Sequence, residues 1–137
     1  EDWITVANLM GLCIFAWYRS RTFSMLIRRG LELVTEAYRA ATGLPMTEEG
    51  LLQCGERVYN TEKLLNWREG MGRESDYPPE RFFAEAMPDG PDKGAHLDRG
   101  DYERLLNDYY AARGWDRVTG FPTPEKLQEL GLAGRGR

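Results

Sequence analysis

Phe23–Leu52, FSMLIRRGLELVTEAYRAATGLPMTEEGLL, carries the pattern that decides the fold. Phe23, Leu26, Ile27, Leu31, Val34, Tyr38 and Ala41 recur at helical spacing, with Arg28, Arg29, Glu32, Glu36 and Arg39 between them, so one face is apolar and the other wet. Gly43 suits the left-handed conformation that ends a helix, and Pro45 keeps the helix from resuming at once. Thr47 offers a side-chain oxygen to the orphan amides of a new helix, and Glu48 and Glu49 suit its positive end. A helix, a stop and a capped restart predict helical architecture rather than a sheet.

The same reading extends outward. Leu51, Leu52, Val58, Leu65 and Trp67 supply the apolar face of the second helix; Gly55 on that face permits close approach of another helix, and Gly70 is the expected stop. Between Met71 and Asp98, Pro78, Pro79, Pro88 and Pro91 with Gly72, Gly90 and Gly94 predict a long loop with one short turn at Glu80–Ala84. Asp98 can cap a helix carrying Tyr102, Leu105, Leu106, Tyr109 and Arg113, ended by Gly114. Thr123-Pro124-Glu125 opens a short helix through Leu127 and Leu130 to Gly131. Upstream, Ile4–Tyr18, ITVANLMGLCIFAWY, is apolar on nearly every side and reads as a helix buried all round. No segment alternates at period two. The expectation is an all-α bundle of four to five helices with a long Pro/Gly-rich loop, forming a single helical domain over residues 1–137.

Composition narrows the partners. Eighteen Lys and Arg against 22 Asp and Glu give a net charge of −4, so no basic field attracts a nucleic-acid backbone. Cys13 and Cys54 form no CxxC, which argues against a disulfide framework or a self-contained zinc site and for a reducing compartment. The apolar run is shorter than the roughly 20 residues that span a bilayer, and no basic leader precedes it. A chain that opens on Glu1-Asp2 and enters its most apolar segment directly reads as a piece of a longer protein. Part of the Ile4–Tyr18 surface is then expected to meet another domain.

Particular strings go further than periodicity. GERVYNTEKLLNWREGMGR at Gly55–Arg73, YPPERF at Tyr77–Phe82 and YYAARGWDRVTGFPTPEKLQELGL at Tyr109–Leu132 closely resemble the C-terminal region of tungsten-containing aldehyde:ferredoxin oxidoreductases. NLMGLC at Asn8–Cys13 is similar to that family's D-x-x-G-L-C segment. The resemblance implies the C-terminal helical domain of a three-domain cytoplasmic enzyme that binds tungsten through two pterin dithiolenes, carries one [4Fe-4S] cluster, oxidises aldehydes to carboxylic acids and passes electrons to ferredoxin. By similarity, Asn8, Gly11 and Leu12 contact a pterin and Cys13 is the fourth cluster ligand. No catalytic residue of the family maps here. The missing N-terminal and middle domains are the implied partners, the isolated chain is expected to hold no cofactor, and a homo-oligomer is left open. A dearomatising acyl-CoA reductase of the same family and a non-catalytic helical interaction module are the alternatives.

Position 8 departs from the pattern. Aspartate there would accept paired hydrogen bonds from the amino-pyrimidine edge of a pterin, whereas Asn8 offers one acceptor and an amide donor. Asn8 as a cap or kink of the apolar helix stands beside that reading. On residue type alone Cys13 and Cys54 are small buried hydrophobes. His96, the only histidine, sits in the Gly/Pro/Asp-rich loop as an exposed side chain. Tyr109, Tyr110 and Trp115 read as core and capping residues. Glu56-Arg57 and Arg68-Glu69 read as surface or interdomain ion pairs.

Overall fold

The computed structural model describes residues 2–12 and 23–134. The order along the chain is α1 (Asp2–Leu9), α2 (Phe23–Thr42), α3 (Glu48–Arg68), a 3-10 turn (Arg73–Asp76), α4 (Arg81–Ala84), α5 (Arg99–Arg113) and α6 (Pro124–Glu129). The described residues are helical, with one isolated antiparallel bridge, Trp115 to Pro122. Among them there are six α-helices, the short α4 lying where the loop was expected to hold one turn. Two compact units are formed, Glu1–Glu62 and Lys63–Arg137, and the division falls inside α3.

In unit 1, Val6, Val34 and Leu51 form a buried cluster against which Trp3, Met10, Leu12, Leu31 and Met46 pack. Val34 follows from the helical row; Phe23, Leu26 and Ile27 of that row have side chains outside the described ones. Gly43 takes φ 70° and its amide reaches the Arg39 carbonyl at 2.9 Å, so α2 ends as the sequence predicts. Thr47 Oγ1 accepts the Gly50 amide at 3.0 Å and caps α3. Gly55 is buried where α1 crosses α3: a Cβ built there would lie 2.5 Å from the Asp2 carbonyl oxygen and 2.9 Å from Val6 Cγ2. The close approach expected at Gly55 is therefore observed, and hydrogen in place of a methyl group is its physical requirement.

The Ile4–Tyr18 helix is corrected. α1 stops at Leu9, because Gly11 adopts φ 69° and the chain closes in a Schellman turn, with the Leu12 amide on the Ala7 carbonyl at 2.9 Å and the Gly11 amide on the Asn8 carbonyl at 3.0 Å. α1 also keeps a wet side: Ile4 and Leu9 are 40% and 53% exposed. The later part of the run, Cys13 to Tyr18, lies outside the described residues.

In unit 2, Leu64, Leu127, Leu130 and Leu132 form a core with Phe121 packed on it, and Trp67 meets Phe121 edge-on at 4.9 Å. Each fully buried leucine contributes about 1.5–3 kcal/mol. Leu64 fills the place the sequence pattern gave to Leu65, which is half exposed. Asp98 Oδ1 accepts the Asp101 amide at 2.8 Å, Gly114 takes φ 67°, and Thr123 caps α6 with Pro124 in its first turn, all as read from the sequence. The segment 84–101 is exposed throughout and is closed by backbone bonds, Met87 amide to Ala95 carbonyl at 2.8 Å and Leu97 amide to Phe82 carbonyl at 2.9 Å.

Candidate functional site

Helix α1 positions the first candidate residues. Asn8 lies one residue before its end, and Gly11 and Leu12 form the turn that follows. Met10 and Leu12 are held against the Val6 cluster, which fixes the direction in which the backbone leaves the helix immediately before Cys13. A Cβ at Gly11 would meet nothing within 4 Å, so within this chain Gly11 is required by its positive φ and not by a close neighbour. Cys13 itself lies outside the described residues.

Asn8 contributes its main-chain carbonyl to the Schellman turn, while its side chain makes no hydrogen bond among the described residues and is exposed. The capping role considered for that amide is not what the described contacts use it for. Instead it borders a groove of about 340 Å³ lined by Ile4, Thr5, Asn8 and Leu9 of α1 and by Val58, Tyr59 and Glu62 of α3. Spacings of one and four residues put each set on one helical stripe. Glu62 is likewise exposed, with no ion pair or hydrogen bond among the described residues. A groove of mixed polar and apolar lining, with an amide and a carboxylate on it, can accept a planar ligand bearing adjacent N–H donors. These residues fit the pyrimidine edge of a pterin. For the metal groups, no set of three His, Cys, Asp or Glu side chains gathers among the described residues. Cys54 is half-buried on α3, and His96 is exposed beside Phe82, Met87 and Leu97 in the loop.

Sequence reasoning missed the polar centre of unit 2. Asp76, placed by the 3-10 turn, accepts from Lys63 Nζ at 2.7 Å and from the Tyr110 hydroxyl on the same carboxylate oxygen, and its main-chain carbonyl accepts from the Tyr102 hydroxyl at 2.6 Å. The Lys63 side chain is only 9% exposed and its ammonium stands 4.9 Å from the Trp115 ring centroid. Tyr110 is wholly buried, and burial together with its bond to Asp76 pushes its phenol well above the usual range. Beside it, Arg73 donates to the Arg117 carbonyl at 2.7 Å and to Glu103 at 3.3 Å. The Tyr77 hydroxyl donates to Glu103 at 2.7 Å, which holds that carboxyl below its ordinary value. Asp116 accepts from the Val118 and Thr119 amides and from the Thr119 hydroxyl, so the WDRVTG string builds a rigid turn ending at Gly120, φ 74°. A Cβ at Gly120 would meet the Tyr110 hydroxyl oxygen at 2.9 Å. These groups satisfy one another and present a fold-holding network rather than an open reaction centre.

Comparison with known proteins places the chain. The family model described as aldehyde ferredoxin oxidoreductase, domains 2 & 3, matches residues 1–132. The chain belongs to the aldehyde ferredoxin oxidoreductase family. It is 38% identical over 133 residues to the tungsten-containing aldehyde ferredoxin oxidoreductase of Pyrococcus horikoshii, which covers 96% of this chain and 20% of that protein. The corresponding enzyme of Pyrococcus furiosus is 37% identical over 134 residues, again with 20% of its length matched. An aliphatic sulfonate oxidoreductase, WOR-like subunit, of Pyrococcus furiosus is 31% identical over 129 residues. The chain thus spans about one fifth of the length of these curated relatives. The Asp116 turn lies within the YYAARGWDRVTGFPTPEKLQELGL string, and its hydrogen bonds there hold the fold. None of the helices described is long and apolar enough to cross a membrane.

Proposed function

We propose that this chain is the C-terminal helical part of a cytoplasmic tungstopterin oxidoreductase that converts aldehydes to carboxylic acids and delivers the electrons to ferredoxin. The match over residues 1–132 to a family whose similar members are tungsten-containing aldehyde ferredoxin oxidoreductases carries this reading. Aldehyde and water give carboxylic acid, two protons and two electrons. The tungsten bis-pterin, when bound, supplies the two-electron acceptor, and the [4Fe-4S] cluster carries the electrons one at a time.

The residues of this chain bind and orient rather than react. Asn8 meets the pterin through its side chain and Leu12 through its backbone, Gly11 makes the turn that sets them, and Cys13 supplies a thiolate to the cluster, whose remaining ligands come from outside this chain. The chain alone is inactive and colourless. The sulfonate-named relative matches at lower identity, 31% against 38%, which supports the aldehyde reading over a change of substrate class.

The test is anaerobic purification of the full-length protein from a tungsten-supplied culture, followed by tungsten and iron analysis and aldehyde-dependent reduction of a viologen dye. Bound tungsten, four iron atoms per cluster and dye reduction are expected. Protein free of both metals would overturn the proposal. A Cys13→Ser variant of the same protein should lose the cluster's paramagnetic signal on reduction, and an unchanged signal would remove Cys13 from the ligand set.

A further inference from the structure

We infer that Glu62 supplies the carboxylate that position 8 lacks, so that Asn8 and Glu62 together recognise the 2-amino-4-oxopyrimidine edge of a pterin. This rests on the pterin reading of Asn8 given above. The edge presents, in order, an amino N–H donor, a ring N–H donor and a carbonyl acceptor. A single carboxylate satisfies the two donors as a pair, in the way carboxylates accept from guanidinium groups. One amide satisfies the carbonyl through its NH2 group. Asn8 alone has one acceptor oxygen and cannot take both donors in parallel. Asn8 and Glu62 have the full complement between them.

Four observations support this assignment. Both side chains line one groove, from facing stripes on α1 and α3. Both are exposed, and among the described residues neither spends its polar atoms on a hydrogen bond or an ion pair. The rest of the lining includes Ile4, Leu9 and Val58, which suit the flat face of a heteroaromatic ring. Finally, α1 and α3 are locked together by the Gly55 contact, so the two stripes are held in fixed register before any ligand arrives.

The full-length, cofactor-free protein, labelled with nitrogen-15 at asparagine, is titrated with pterin (2-amino-4-oxopteridine), with lumazine, whose second oxo group replaces the amino donor, and with guanosine, which bears the same edge. Pterin is expected to shift the Asn8 side-chain NH2 signal and to bind more tightly than lumazine. Glu62→Gln should weaken pterin by roughly tenfold, the loss of one charge-assisted pair. Asn8→Asp in the Glu62→Gln background should restore it, and Asn8→Asp alone should add little. Pterin binding unchanged by Glu62→Gln but lost in Asn8→Ala would overturn the role of Glu62 and leave Asn8 as the pterin contact. Absence of pterin binding, or equal binding of lumazine, would overturn recognition by this groove. Preference for guanosine over pterin would transfer the edge chemistry to a nucleotide and overturn the inference. The underlying reading is tested separately: a full-length Asn8→Ala protein that keeps its whole pterin content, measured by fluorescence after oxidative release, would overturn it.

Discussion

Unit 1 and unit 2 solve the problem of holding helices together by different physics. Unit 1 relies on contact: a small apolar cluster around Val6, Val34 and Leu51, and a glycine that lets two backbones come within touching distance. Unit 2 adds to its leucine core the buried Lys63 paired with a half-buried Asp76, two tyrosine hydroxyls on Asp76 and a tryptophan face against Lys63. Contact can be weakened by degrees, because neighbouring side chains shift to fill space. A converging polar network fails at a single member, because each lost partner strands a buried donor or charge. The surface left available for ligands differs in the same way. Among the described residues, Asn8 and Glu62 at the groove make no side-chain hydrogen bond or ion pair, whereas the network spends its polar atoms on itself.

The largest blow to this contrast should come from Asp76→Ala. It leaves the Lys63 ammonium buried and takes the acceptor from Tyr110, for a loss of about 3 kcal/mol. Native-state hydrogen exchange should report that loss on amides in residues 63–134, and an effect below a quarter of this size would show the network to be dispensable. Gly55→Ala comes next. Its methyl group meets main chain at 2.5 Å, so overpacking of about 2 kcal/mol outweighs the better helix propensity of alanine. The amides of α1 and α3 should lose protection first. Gly11→Ala has open space around it and pays only for its positive φ, about 1 kcal/mol; urea unfolding should place it clearly below Gly55→Ala, and reversal of the two would mean that close packing is not what holds unit 1.

The smallest effect is on acid stability. The Glu103 carboxyl, held below its ordinary 4.5 chiefly by the Tyr77 hydroxyl, is deprotonated in the folded state at a lower pH than in the unfolded chain. Its stabilisation is therefore complete above that ordinary value and disappears as pH falls through the depressed one. Glu103→Gln should flatten the acid limb of unit 2's stability against pH and leave the curve near neutrality parallel to the parent. An unaltered acid limb would remove Glu103 from the network's balance.

What the sequence reveals follows the range of each interaction. Caps and stops act within a few residues, so Thr47, Asp98, Thr123, Gly43 and Gly114 announce themselves. Gly11 is the same kind of stop, but the apolar letters on both sides of it favour a continuous helix, and only the Schellman closure shows that the helix ends at Leu9. Choices between neighbours, Leu64 rather than Leu65 and Tyr110 rather than Tyr109, turn on how the helix is rotated by packing that helical periodicity does not resolve. Asp76 is harder still. Its partners Lys63, Tyr102 and Tyr110 are separated from it by up to 34 positions, and a loop rich in breakers gives no periodic signal to connect them. The groove at Asn8 was half legible: the string around Asn8 points to it, while Glu62 lies in an ordinary exposed helical position whose meaning comes only from the stripe opposite.

Gly55 also has a use for anyone building variants of this protein. In a library randomised at that codon and selected for correctly assembled chains, nineteen of the twenty letters carry an atom that collides with the Asp2 carbonyl. Recovery of glycine alone would certify the selection, and a tolerated side chain would report that α1 had come away from its seat before any cofactor chemistry was assayed.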